Sequence, residues 1–224
     1  MPGFAGFDTD IYPGDDVMSW LRANTNLVWC GYYLGGAPSH PDTTWMGRLA
    51  ALKGNGWGIA PVYVGQQVTG PGSRNPSAAT GLQDGSQAAL MMQNEGFATG
   101  SYVYLDLENG PPIPQAQMDY VTSWVNAVVN GGFKPGIYCS HLLAQTINES
   151  FPSCRIWAFK VPTTASHPVA APFPCPDPGG CGYAPAHAWQ LDQNGVHSLL
   201  PEIQSSLGMD SSSAVSADPG APDS

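Results

Sequence analysis

Short apolar runs alternate with amphipathic stretches of helical period along most of the chain. Phe4-Ala5-Gly6-Phe7-Asp8 predicts a first strand with an acid at its end. Residues 16–23 predict a helix, with Asp15 as N-cap and Val17, Trp20 and Leu21 on one face. Residues 27–34 predict a second strand closed by Gly35-Gly36. Residues 43–53 predict a second helix with Trp45, Leu49 and Leu52 as its apolar stripe. A third strand follows at 57–64, a polar loop through Arg74-Asn75-Pro76, and a third helix at 80–97. The pattern then gives a strand from Tyr102, a helix at 114–130, a strand at 135–139 and a short helix at 141–149.

After a strand at 155–159 the pattern loosens. Residues 162–185 are rich in Pro, Gly and Ala and read as a long loop. Residues 187–191 predict another strand, ending at Asp192. Residues 201–207 predict one or two helical turns, and Gly208-Met209-Asp210 a last short strand. From Ser211 the chain lacks large apolar residues, which predicts a barrel domain over 1–210 and a disordered tail over 211–224.

Strand and helix alternate from Phe4 to Glu149, which implies an α/β fold with parallel strands. Several strands finish in polar or acidic residues: Asp8, Gln66, Asp106 with Glu108, and Asp192. In a (β/α) barrel such ends meet at one mouth, where active sites lie. A doubly wound open sheet is the alternative. Against it, Phe7-Asp8-Thr9-Asp10 offers no glycine-rich phosphate loop.

The chemistry concentrates in Tyr102-Val103-Tyr104-Leu105-Asp106-Leu107-Glu108. Side chains alternate along a strand, so Asp106 and Glu108 share a face with Tyr102 and Tyr104. Two carboxyls projecting together from a buried strand are costly unless paired, hydrogen-bonded or functional. The structural alternative is a pair that caps a helix or meets a Lys. The functional one is a glycosidase pair, one acid donating a proton and the other acting as nucleophile or base. Competing chemistries lack their motifs: there is no G-x-S-x-G elbow, no H-E-x-x-H and no Walker loop.

Charge narrows the partners. Seventeen acids against seven Lys and Arg give a net charge of −10. With no basic cluster, nucleic acid and anionic membranes are not expected partners. Seven Trp and nine Tyr suit a sugar cleft as well as a core. No basic-then-apolar leader opens the chain, which predicts a cytoplasmic protein or export by a route without a cleaved signal. Of five cysteines, Cys175 and Cys181 flank a turn-forming Pro-Asp-Pro-Gly-Gly and are expected to form a disulfide. A metal site of Cys175, Cys181 and His187 is the weaker alternative, since the spacing matches no common zinc pattern. No metal or other cofactor is expected, and the protein is expected to be a monomer.

The set Gly6-Phe7-Asp8, Gly31-Tyr32-Tyr33-Leu34-Gly35-Gly36, residues 56–65 (GWGIAPVYVG), Tyr104-Leu105-Asp106-Leu107-Glu108 and Pro135-Gly136-Ile137-Tyr138 resembles a bacterial glycoside hydrolase-like family. That family is similar to glycoside hydrolase family 25, the Chalaropsis-type lysozymes. Ile156-Trp157-Ala158 and Ala188-Trp189-Gln190 resemble the later strands of those lysozymes. The resemblance implies a TIM-like barrel with an irregular C-terminal half, and cleavage of peptidoglycan glycan strands. It implies Glu108 as proton donor, Asp106 as its partner and Asp8 as the first-strand acid. A last acid is implied too, for which Asp192 and Asp210 both qualify. The alternative is a glycan-binding module that keeps the cleft without the chemistry. Tyr32, Tyr63, Gln66, Tyr138, Trp189 and Gln190 are candidate substrate contacts, though as core residues they would look the same in sequence.

Overall fold

The computed structural model describes residues 1–199 and 206–223. Six strands alternate with five helices in the order β1 (Phe4–Asp8), α1 (Asp15–Asn24), β2 (Trp29–Tyr33), α2 (Leu49–Gly54), β3 (Gly58–Tyr63), α3 (Ala78–Glu95), β4 (Tyr102–Leu107), α4 (Gln115–Asn130), β5 (Lys134–Ser140), α5 (Ala144–Ser150) and β6 (Arg155–Phe159). The rest is β7 (His167–Val169), a 3₁₀ turn at Pro178–Cys181, β8 (Ala188–Gln190), β9 (Gly195–Ser198) and β10 (Ser206–Ala214). Strands β1 to β6 and β8 are parallel neighbours. β10 runs antiparallel to both β8 and β1 and closes an eight-stranded barrel. β7 and β9 extend the first half of β10 into a side sheet.

The barrel thus has the TIM-like plan with an irregular final third. Where a helix would stand between β6 and β8, the chain forms β7 and the 3₁₀ turn. An outer apolar layer packs the helices on the strands, with Phe7, Trp45, Trp124 and Ile137 buried in it. The inside holds Trp29, Val62, Tyr104 and Trp157. The ring of Trp157 meets those of Trp29, Tyr104 and Tyr138 edge-on at 5.3, 5.7 and 5.4 Å. Such bulk fits because the facing strands carry glycines. A Cβ on Gly6 would lie 2.1 Å from the Trp29 ring, and one on Gly136 2.4 Å from the Tyr104 ring.

Several local expectations are corrected. Gly14, not Asp15, caps α1; Asp15 is its first residue and accepts a hydrogen bond from Tyr12 Oη at 2.6 Å. α2 starts at Leu49, not at 43, since the preceding residues form turns and Gly47 takes a left-handed φ of 78°. The helical turns expected at 201–207 lie mostly outside the described residues, and Ser206 and Leu207 belong to β10.

The tail expected to be disordered is structured. Residues 211–214 are the barrel half of β10, a Ser-rich strand whose small side chains suit an interior already full of aromatic rings. Residues 215–223 then cross the bottom of the barrel. Asp223 is bonded by Tyr102 Oη at 2.9 Å, Arg155 Nη2 at 2.6 Å and Lys134. Asp218 is paired with Lys53 and accepts from Ile59 N at 2.8 Å. Tyr104 Oη and Arg155 Nη1 donate to Pro219 O at 3.0 and 2.7 Å. Among the described residues, no helix is long and apolar enough to cross a membrane.

Candidate active site

The mouth is built by strand ends on one rim. Asp8 ends β1, Asp106 is the penultimate residue of β4, and Glu108 follows that strand. Asp210 enters from β10, where it pairs in register with Asp8. With Tyr33, Val62, Tyr138, Trp157 and Gln193 these four carboxyl residues line one small cavity. Alternation is what brings them together: Tyr102, Tyr104, Asp106 and Glu108 are successive same-face positions of β4 and its end.

Each carboxyl has its own environment. Asp8 is 7% exposed; Oδ2 accepts from Tyr33 Oη at 2.9 Å, while Oδ1 has no partner among the described residues. Burial raises the Asp8 pKa well above the usual range, and the charges of Asp210 and Asp106 push the same way against the Tyr33 hydrogen bond. Asp106 is 8% exposed, and its Oδ1 too has no partner among the described residues. Burial first, and then the Glu108 charge, raise it well above the usual range. Glu108 lies open to solvent at the rim, yet the cleft walls desolvate its carboxyl enough to raise its pKa. Asp210 is pushed up to about 6, chiefly by burial. It accepts from Gln190 Nε2 at 2.9 Å and Asn194 N at 2.7 Å.

No ion pair is made by any of the four among the described residues. Arg155 and Lys134 begin β6 and β5, so they sit at the opposite end of the barrel, neutralised by Asp223. A cluster of acids without a cation keeps protons that isolated carboxyls would lose. The arrangement can therefore present a carboxylic acid beside a carboxylate at a higher pH than isolated carboxyls would allow.

The remaining candidates divide. Tyr138 lines the cavity and donates to Gln190 Oε1, and Gln190 holds Asp210. Asp192 is set apart: its carboxylate binds His167 Nε2 at 2.8 Å and lines a separate apolar recess. Tyr32 points outward and donates to Glu95 on α3. Tyr63 also points outward, donating to Gln87 at 2.8 Å. Gln66 is buried in a loop-holding network with Asp84, Ser73 and Asn75. Trp189 faces away from the barrel interior, its Nε1 donating to Lys160 O at 3.2 Å. These four do not reach the mouth. The expected Cys175–Cys181 bridge is absent too: all five cysteines are free thiols, and Tyr183 N donates to Cys181 Sγ at 3.4 Å. Among the described residues no three His, Cys, Asp or Glu side chains are grouped to hold a metal, Cys175, Cys181 and His187 included.

Tyr33 is the residue the sequence reading missed, although it stands next to Tyr32. Its signal was the shared face with Trp29 and Gly31: a Cβ on Gly31 would lie 2.6 Å from Asp8 Cβ, so this face of β2 meets Asp8.

The fold and site are those of a closed α/β barrel with an acid-lined mouth. The chain belongs to the Rv2525c-like, glycoside hydrolase-like domain family, whose model matches residues 19–202. The match contains Asp106 and Glu108, while Asp8 and Asp210 lie on the strands outside it. Among solved structures, an uncharacterized B. stearothermophilus protein superposes with a TM-score of 0.63 at 17% identity, over 95% of this chain and 96% of that one. The Mycobacterium tuberculosis Tat-secreted protein Rv2525c, in complex with HEPES, gives 0.61 at 17% identity, over 97% and 98%. A muramidase from Acremonium alcalophilum gives 0.56 at 17% identity, over 94% and 93%. At these identities the likeness is one of fold. A search of curated proteins finds no match to this chain.

Proposed function

We propose that the protein is a glycosidase that hydrolyses β-linked amino-sugar polymers, with the glycan strands of peptidoglycan as its substrate. The observation that carries this is the group of Asp8, Asp106, Glu108 and Asp210 around one cavity, with no cation beside them among the described residues. The family's glycoside hydrolase-like character and a barrel shared with a muramidase support it.

Glu108 is the proton donor. It stands at the rim, within reach of an incoming chain, and partial desolvation keeps its proton on to higher pH. Its proton passes to the glycosidic oxygen as the bond to the anomeric carbon breaks. Asp106, deeper on the same face, is the partner carboxyl that answers the positive charge developing on the sugar ring. Water adds to the anomeric carbon, and the proton it gives up restores the acid. Asp8 and Asp210 hold sugar hydroxyls, and Asp8, raised by burial and then by the charges of Asp210 and Asp106, keeps its own proton more readily than an isolated carboxyl. The Tyr33 hydroxyl, itself raised in pKa by burial, stays protonated and orients Asp8.

The test is the identity of the new reducing ends. Purified peptidoglycan is digested, reduced with borohydride, hydrolysed and analysed for amino-sugar alcohols. Muramitol appearing with time is the expected result; glucosaminitol alone would assign the cut to the other linkage. One observation favours a second reading, a non-catalytic glycan-binding module. Asp106 is so deeply buried that a permanently protonated carboxyl there would bind sugar but stabilise no charge. On that reading neither alcohol forms.

A further inference from the structure

Beside the acid cavity lies a groove of about 860 Å³, between the β1–α1 loop, residues 164–166 and the β9–β10 side sheet. It shares Asp8, Tyr33 and Asp210 with the cavity, so the two are one continuous cleft. Its volume falls within the range of about 300–1,000 Å³ usual for pockets that take small molecules. Ile11, 55% exposed, and Tyr12 supply apolar surface on one wall, and Val196 on another. Such faces suit the C–H surfaces of a pyranose ring.

The charge of this groove is one-sided. Asp8, Asp10 and Asp210 line it, and among the described residues no Lys, Arg or His side chain lines either it or the cavity. Arg48 is close to this wall in space, but lies over the Tyr12 ring and is paired with Asp15. Asp8 brings a second, independent feature: its Oδ1 is buried and has no partner among the described residues, an acceptor in want of a donor. Burying an acceptor without a partner is costly, and a ligand N–H or O–H relieves that cost.

We infer that the groove is a subsite for a glucosaminyl unit carrying a free amine, so that the cleft selects partly de-N-acetylated amino-sugar chains. This rests on the glycosidase reading of the adjoining cavity and names its substrate class. An ammonium group offers three N–H donors and a positive charge to Asp8, Asp10 and Asp210. An acetamide offers one N–H and no charge. A carboxylate-bearing substituent is repelled, so any acidic side group on the polymer must point out of the groove.

The experiment separates binding from cleavage. Glu108→Gln, in the full chain, is titrated calorimetrically with tetramers of β-1,4-linked glucosamine and of N-acetylglucosamine, at a pH where the amine is protonated. The glucosamine tetramer should bind about fivefold more tightly, the size expected of a single partly exposed ion pair. That preference should shrink at high salt, as screened charges require, and also when the exposed Asp10 is changed in Glu108→Gln/Asp10→Asn. Equal affinities, a preference for the acetylated tetramer, no binding of either, or a preference indifferent to both salt and Asp10→Asn would each overturn the inference. Release of reducing ends by the wild-type protein is scored separately. A preference in binding without any release would sink the hydrolase reading and leave the amine subsite standing.

Discussion

Asp8 and Asp210 face each other across the antiparallel β1–β10 pair that closes the barrel, one tied to Tyr33 and the other to Gln190 and Asn194. The closure of the fold and the gathering of its acids are therefore one event. Because Asp210 is the leading charge acting on Asp8, Asp210→Asn should lower the Asp8 pKa. Carboxyl-carbon NMR titration of the two proteins reads this directly. An Asp8 titration unmoved by the substitution would show that the two do not share a field.

Stability should fall as pH rises through weakly acidic values. The mouth carboxyls are raised in the folded chain, so between their unfolded and folded pKa values the folded state holds more protons than the unfolded one. By linkage their contribution is intact below the unfolded value and lost as pH climbs. For Asp210 that window runs from near 4 to about 6, a loss of about 2 kcal/mol once solvent screening is allowed for. Asp223 has the opposite sign: hydrogen bonds from Lys134 and Tyr102 hold its pKa down, so its contribution is lost as pH falls below the ordinary Asp range. Melting temperature should peak at acidic pH, between these limits, and decline toward neutrality, with the decline shallower in Asp210→Asn. A melting temperature that climbs steadily to neutral pH would contradict the buried, uncompensated acids.

The segment across the barrel floor should carry measurable stability. Asp223→Ala removes the partner of Tyr102, Lys134 and Arg155. Arg155 is 16% exposed but Asp223 51%, so screening limits the loss to about 1 kcal/mol. Urea unfolding should show a lowered midpoint with an unchanged slope. An unshifted midpoint would mean that this anchoring contributes nothing.

Legibility in sequence tracked regularity of backbone. Asp106 and Glu108 were readable as one face because β4 is an unbroken strand, and alternation needs nothing else. The same rule misled at Tyr32: the face of a two-tyrosine strand end depends on register, and one position exchanges the interior Tyr33 for the exterior Tyr32. Tyr63 failed likewise, since Val62 takes the interior position. The Ser-rich end of β10 is ordered although it lacks the apolar content that usually marks order in a sequence. In a barrel already filled by Trp29, Tyr104 and Trp157, small residues are what the last strand can carry. The choice between Asp192 and Asp210 was not a matter of pattern at all. It rests on His167, distant in sequence, binding Asp192 away from the cavity.

The rate at which purified peptidoglycan gains reducing ends, wild type against Glu108→Gln, tests the central claim most directly. The variant keeps the shape of the side chain and removes its proton. The account predicts release by the wild type and a loss of about a hundredfold to ten-thousandfold in the variant, the usual worth of a general acid. Equal release by the two proteins, or no release by a folded wild type, would contradict it.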